Sequence, residues 1–215
     1  MKNDVPIRLV GGTGSPYTQK MVALLRYRRL PYAVNRGIPA EVCAAMGVEP
    51  PKPIFEPTFF FEEDGVTRAT CDSTPIIRRL EDSYAGRSVL PGDPALAFID
   101  YLIEDFADEW CTKYMFHYRW YPEADADNAG TQLPLGVDVS LPPDALQQSK
   151  QYYIDRQVGR LYVVGSNDTT APVIDASYKR LLVAMEAHFA QQPYLMGDRP
   201  GASDFALYGQ LTQLV

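Results

Sequence analysis

Along the first third of the chain, short apolar runs alternate with stretches where apolar residues recur every three or four positions. The short runs predict strands at 7–10 (Ile7-Arg8-Leu9-Val10), 32–35, 58–62 and 67–69. The three-to-four spacing predicts helices over 16–29, 40–46 and 74–84. Glu63-Asp64-Gly65 has the composition of a hairpin turn joining the third and fourth strands. The order is therefore βαβ, α, ββ, α, the pattern of an α/β unit. Residues 85–94, with Gly86, Pro91, Gly92 and Pro94, form a linker in this reading.

Beyond the linker the period of two fades. One long aromatic-rich helix is predicted over 95–121, then a polar loop over 122–143, then helices over 144–164, 172–191 and 202–215. No internal repeat or low-complexity tract interrupts this pattern. The expected architecture is an α/β domain over 1–84, a linker over 85–94 and an all-helical domain over 95–215.

At 215 residues with 46% apolar and 22% charged side chains, the chain can bury a substantial core. Its formal charge of −7 argues against a nucleic-acid partner. The densest basic group, Arg26, Arg28 and Arg29, is expected on the solvated face of its helix. No apolar run reaches the ~20 residues that span a bilayer, so no membrane partner is expected. Met1-Lys2-Asn3-Asp4 lacks the apolar core of a signal peptide. The odd number of cysteines (Cys43, Cys71, Cys111) suits a reducing cytoplasm. With only His117 and His188, and no Cys-x-x-Cys, no metal site is expected.

The candidate chemistry starts at Ser15-Pro16-Tyr17-Thr18, between a glycine-rich turn (Gly11, Gly12, Gly14) and the first helix. A hydroxyl followed by Pro is a helix start, and its free N–H groups and dipole favour an anion in front of Ser15. Further along, Glu56-Pro57-Thr58 precedes a β-rich run, and Cys71-Asp72-Ser73-Thr74-Pro75-Ile76-Ile77 places an acid and a hydroxyl at another helix start. A fourth segment, Arg199-Pro200-Gly201-Ala202-Ser203-Asp204-Phe205, opens the last helix.

Those four segments, in that order over essentially the whole chain, resemble the soluble glutathione transferase superfamily. Gly14 to Lys20 looks like its active-site segment, Pro57 like its cis-proline, Asp72-Ser73 like its acid-Ser pair, and 199–205 like its buried capping segment. The resemblance implies a thioredoxin-like first domain that binds glutathione and an all-α second domain that shapes the site for the other substrate. It implies glutathione as co-substrate, a small apolar electrophile as acceptor and a homodimer. Ser15 would donate a hydrogen bond to the glutathione sulfur and lower its pKa, with Tyr17 and Thr18 as competing hydroxyls. Related redox proteins carry Cys-Pro-Tyr-Cys there, and Ser15 and Thr18 replace both sulfurs, so the thiol must come from the ligand. A plain N-cap is the alternative role of Ser15.

Pro57 would present the backbone of Glu56 to an extended peptide, although an acid at position 56 departs from the apolar residue usual in the superfamily. Asp72 would meet the γ-glutamyl ammonium while the N–H groups of the helix start at Asp72-Ser73 meet its carboxylate; a plain capping arrangement is the other reading, and the two are compatible. Lys52 and Lys20 could face the glycine carboxylate, or be solvated. Phe106, Trp110, Tyr114, His117 and Tyr121 recur at spacings of 4, 4, 3 and 4, which predicts one face. Trp110, Tyr114 and His117 are the acceptor-site candidates, with Arg119 grouped beside them as a bulky side chain with a polar tip, core packing being the alternative.

Two departures are visible. Gly201 stands where the superfamily's capping box has a hydroxyl, so only its Asp204 half is expected. The last helix stops at Val215 where the superfamily usually continues, which suggests a shortened form or a partner covering Phe205, Leu207, Leu211 and Leu214. Besides conjugation, two readings stay open: a non-catalytic module of the same fold, and a glutathione-dependent isomerase or reductive lyase.

Overall fold

A computed structural model describes residues 5–214; Met1 to Asp4, invoked above for a leader, and Val215, the end of the last predicted helix, lie outside the described residues. The first half is built as the period-two pattern requires. Strand β1 (Ile7–Val10) runs parallel to β2 (Tyr32–Asn35) across helix α1 (Pro16–Arg28). Strands β3 (Thr58–Glu63) and β4 (Val66–Thr70) form the hairpin, and β3 pairs antiparallel with β1, giving the order β2-β1-β3-β4.

Alternation along the strands sends successive residues to opposite faces. Leu9 and Phe59, paired across β1 and β3, pack on Met21, Leu24 and Leu25 of α1 and on Ile76, Ile77 and Leu80 of α3 (Ser73–Ser83). Val10 and Phe60 face the other way and pack with Cys43 of α2 (Pro39–Met46). Arg28 does not share the solvated face expected for it: it is buried, with Nη1 2.9 Å from a Glu81 carboxylate oxygen.

The linker is not slack. Val89 is buried in the first core, and its carbonyl accepts a hydrogen bond from the Ala202 N–H at 2.9 Å.

The helical half departs from the expected pattern in two places. The rod predicted over 95–121 is α4 (Pro94–Phe106), one π-helical turn (Ala107–Cys111) and α5 (Thr112–Trp120). The stretch expected to be a loop holds helix α6 (Glu123–Val137). Asn128, Gly130 and Pro134 depress its intrinsic propensity. Packing overrides them: α6 lies against α7 (Pro143–Val158), so close at Gly130 that an added Cβ would stand 2.7 Å from Ile154 Cγ1. A short 3₁₀ turn (Leu161–Val164), α8 (Ala171–Phe189) and α9 (Ala202–Leu211) follow. Among the described residues no helix is long and apolar enough to cross a membrane.

Helix α9 is the centre of the molecule rather than an exposed edge. Phe205 and Leu207, expected on an uncovered face, are buried; Phe205 joins the first core, and Leu207 packs near Ala107 and Cys111. At Gly209 the helix comes so close to the first turn of α1 that a Cβ would lie 2.4 Å from the Pro16 carbonyl oxygen.

The missing cap hydroxyl has a substitute. Asp100 of α4 accepts hydrogen bonds from the Ala202 N–H, the Ser203 N–H and the Ser203 hydroxyl at 3.2, 3.1 and 2.6 Å. Asp204 reaches back to the Gly201 N–H at 2.9 Å, the half-box the sequence predicts. Glycine at 201 leaves the space that the Asp100 carboxylate fills, since a Cβ there would stand 2.1 Å from its Oδ1. Gly201→Ala should therefore destabilise the fold by about 1–3 kcal/mol, the cost of overpacking a filled site. Urea unfolding measures this, and an unchanged midpoint would refute the cap assigned to Asp100.

Candidate functional site

A cleft of about 1180 Å³ opens between the two halves, in front of the first turn of α1. Its floor is the glycine-rich turn and the start of that helix. Ser15 is the N-cap, with extended backbone, and its Oγ accepts the Thr18 N–H at 3.2 Å. The same hydroxyl donates a long bond of 3.4 Å to the Glu56 carbonyl, so little holds it against a better acceptor. The two competing hydroxyls are differently placed. Tyr17 donates to the Asp108 carbonyl at 2.7 Å, and burial pushes its pKa up to about 12. Thr18 is fully buried, with its Oγ1 against Gly11.

The Glu56–Pro57 peptide bond is cis, as is Lys52–Pro53. Glu56 turns its carboxylate inward, where Oε2 accepts the Gly12 N–H at 2.9 Å. Asp72 caps α3 by accepting the Thr74 N–H at 3.3 Å, and does so with φ at +81°. That conformation costs an L-residue of order 1–3 kcal/mol, and such strain gathers at ligand sites. Lys52 stands exposed on the rim, paired with Glu49 at 3.2 Å. Ser15, Lys52, Glu56, Pro57, Asp72 and Ser73 all line this one cleft.

Lys20 is neither solvated nor directed at a ligand carboxylate. It is 1% exposed, and its ammonium donates to Ser73 Oγ at 2.9 Å, Glu104 Oε1 at 2.8 Å and Asp108 Oδ2 at 2.6 Å. Three donors meet three acceptors, which is the full capacity of the group. Glu104 also accepts from the Thr74 hydroxyl at 2.9 Å and pairs with Arg78 at 3.2 Å. Burial lifts the Asp108 carboxyl to about 6 against the pull of Lys20, and its Oδ1 has no hydrogen-bond partner among the described residues.

The helical wall is a different face from the one predicted. Trp110 is exposed and covered by the Lys113 ammonium, 4.1 Å from its ring. Tyr114 points at α8, where its hydroxyl lies 3.3 Å from Ser177 Oγ. His117 is buried, with Nδ1 2.8 Å from Ser166 Oγ and its ring stacked on Tyr121; burial lowers its pKa. None of the three lines the cleft. Phe106, which opens the aromatic stripe ahead of the π turn, is off the cleft as well and packs toward α9, so the whole stripe lies on a neighbouring face.

The wall instead consists of Asp108, Thr112, Met115, Phe116 and Arg119, with Trp120 behind them. Asp108, Thr112, Met115 and Arg119 are themselves spaced 4, 3 and 4 apart, a stripe as regular as the aromatic one. Arg119 reaches the active-site turn and donates to the Gly14 carbonyl at 2.9 Å; burial lowers its pKa to about 10. Leu133 of α6 lies on the other side of Gly14. Tyr153 and Arg156 of α7 complete the opposite wall. Among the described residues no group of three or more His, Cys, Asp or Glu is arranged to hold a metal.

Known proteins share this fold. The family model described as glutathione S-transferase, N-terminal domain, matches residues 9–88, and that described as glutathione S-transferase, C-terminal domain, matches residues 151–215. No curated protein matches the sequence. Among solved structures, FzlA from C. crescentus is 14% identical over 98% of this chain and 78% of its own, with a TM-score of 0.57. A glutathione S-transferase from Rhodospirillum rubrum F11 is 19% identical over 97% of this chain and 77% of its own, also at 0.57. A glutathione S-transferase from Methylobacterium radiotolerans, solved with glutathione sulfonate, is 16% identical over 98% and 79%, at 0.54. At such identities the structural likeness speaks for the fold.

The buried network gives the cleft a pH signature. In the fold Asp108 holds its proton up to about 6, whereas its ordinary value is 3.8. The folded state therefore binds that proton more tightly, and the stability it contributes is present below about pH 4 and lost as pH rises through 6. The shift corresponds to about 3 kcal/mol. The wild type should lose urea stability between pH 4 and 6 relative to Asp108→Asn; parallel curves for the two proteins would show that Asp108 is ionised throughout.

Proposed function

The chain belongs to the glutathione S-transferase superfamily, and from that premise we propose that it activates the glutathione thiol for attack on a small electrophile. One observation carries the reading: the six residues that the sequence assigns to glutathione binding, separated by up to 58 positions, line a single cleft. In this reading residues 1–84 form the glutathione-binding half and 95–215 shape the acceptor side, joined through 85–94.

Ser15 is the activating hydroxyl. Of the three candidates it alone is neither buried nor committed to a short hydrogen bond, and it sits at the positive end of α1. A hydrogen bond and a helix N-terminus both favour the thiolate over the thiol. The proton leaves to solvent, sulfur bonds to the electrophilic carbon, and the leaving group departs with its electron pair. Asp72 meets the γ-glutamyl ammonium, the N-terminus of α3 its carboxylate, and Lys52 the glycine carboxylate at the rim. Isomerisation and reductive cleavage would use the same thiolate on other acceptors. The free thiols of Cys43, Cys71 and Cys111 suit a reducing compartment. Leu96, Phe98, Ile99 and Leu102, exposed along α4, are the surface assigned to a second copy in a homodimer.

A non-catalytic module has one observation in its favour, the Glu56 carboxylate that occupies the Gly12 N–H at the cleft floor. Glutathione titration separates the two readings, since the module should show no saturable binding at millimolar ligand. For the transferase, Ser15→Ala should raise the pKa of bound thiol by about 1–2 units, the worth of one charge-assisted hydrogen bond. Ultraviolet absorbance of the thiolate against pH reads this directly, and an unchanged pKa would eliminate Ser15 as the activator. Asp72→Asn tests the ammonium contact apart from the cap. Asn caps as well and tolerates positive φ, so stability should hold while glutathione affinity falls by about tenfold. Equal affinity would leave Asp72 a structural residue only.

A further inference from the structure

Two cationic side chains in the cleft have no task in the reading above. Arg156, in the last turn of α7, and Arg160, four residues on, both line it. Neither has a carboxylate within ion-pair distance among the described residues. The third cleft arginine, Arg119, is spent on the Gly14 carbonyl and the Gln213 side chain. Both residues are exposed at the cleft, so water screens them in part, but in a chain of net charge −7 two guanidinium groups without an ion-pair partner there still favour an anion.

Their surroundings narrow the ligand. The same cleft is lined by the apolar side chains of Met115 and Phe116 of α5, Leu133 of α6 and Val163 of the 3₁₀ turn. Of the cleft carboxylates, Asp105, Asp108 and Glu109 belong to the α4 side and Asp72 to the start of α3, while Glu56, the one that reaches toward Tyr153 of α7, is turned onto the Gly12 N–H. An anion would be repelled on the α4 side and drawn to the α7 side, so the charges orient as well as attract. The cleft volume of about 1180 Å³ accommodates a tripeptide and a small second molecule together.

We propose that the acceptor substrate is an apolar electrophile bearing a carboxylate, whose anionic group is held by Arg156 and Arg160 while its reactive carbon points at the thiolate near Ser15. The inference rests on the glutathione-transferase reading and sharpens its acceptor from apolar to apolar and anionic. A guanidinium meets a carboxylate through two parallel N–H donors, so it fixes direction in a way that apolar contact cannot.

A matched pair of electrophiles tests it: 4-(bromomethyl)benzoate and its methyl ester. In both, the sulfur–carbon bond forms, the carbon–bromine bond breaks, bromide leaves with the electron pair and the thiol proton passes to solvent. After subtraction of the uncatalysed rate, the wild type should favour the carboxylate over the ester by about five- to tenfold in kcat/KM, as expected for a charge-assisted contact at a partly open site. Raising the salt concentration should shrink the ratio. In Arg156→Gln/Arg160→Gln it should fall to about one.

Binding of S-(4-carboxybenzyl)glutathione against S-(4-methylbenzyl)glutathione, measured by calorimetry, should show the same preference and its loss without any turnover. A wild-type ratio of one or below, with glutathione bound and the ester conjugated, overturns the anionic acceptor and leaves the transferase standing. A parallel loss of glutathione affinity in the double variant also overturns it, because the arginines would then be holding the tripeptide. Absence of glutathione binding in the wild type defeats the transferase reading itself.

Discussion

One buried ammonium joins the parts of this molecule that must stay in register. Lys20 leaves the second turn of α1, five residues after Ser15, and ends among Ser73, Glu104 and Asp108. These belong to the start of α3, to α4 and to the π turn. Helix α1, the start of α3, α4 and the π turn therefore converge on a single cation. Taking such a charge out of water is expensive, and only complete pairing offsets the cost. Removing one partner would strand the others, at about 3–5 kcal/mol for a buried pair. The network thus contributes less through net stability than through the geometry it permits.

That geometry reaches the proposed activating hydroxyl along short paths. The Asp108 carbonyl holds Tyr17, two residues from Ser15, and Arg119 holds the carbonyl of Gly14, the residue before it. Both restraints come from the helical half. A hydroxyl that must meet a sulfur within a few tenths of an ångström gains from being fixed by elements that do not move with the ligand. The π turn has a part in this. Asp108 lies within it, and Thr112, Met115 and Arg119 carry the same face onward along the cleft.

Legibility from the sequence divided along the same line. The α/β half was readable nearly to the residue because its signals are local: alternation in Ile7–Val10, a cap followed by Pro at Ser15, a hairpin turn at Asp64-Gly65. Ser15, Glu56, Pro57, Asp72 and Ser73 come together in one cleft because each sits at or beside the end of such an element, whereas Lys52 lies in the connection between α2 and β3. The acceptor wall was not legible. Two stripes of equal regularity competed for the cleft, and nothing in their spacing says which of them faces it. Helix α6 was hidden for a related reason, because Gly130 and Pro134 read as loop residues until α7 is packed against them. Lys20 looked like a surface lysine for want of any local sign that carboxylates 84 and 88 residues away would close on it.

The cap of α9 shows how far a departure from a familiar motif can mislead. A glycine in place of a hydroxyl suggested a weakened helix start, yet that start is among the most fully bonded points in the molecule. The acceptor has moved from the chain's own N-cap to Asp100, 101 positions earlier, and glycine is what the new arrangement demands. The exchange has a structural consequence. A local capping box secures one helix, whereas Asp100 secures α9 to α4, and α9 in turn presses Gly209 against the first turn of α1. The capping charge and the Lys20 network both start from α4, at Asp100 and Glu104, one helical turn apart. That turn therefore fixes α1 twice, once through packing and once through charge, and the placement of Ser15 follows from it.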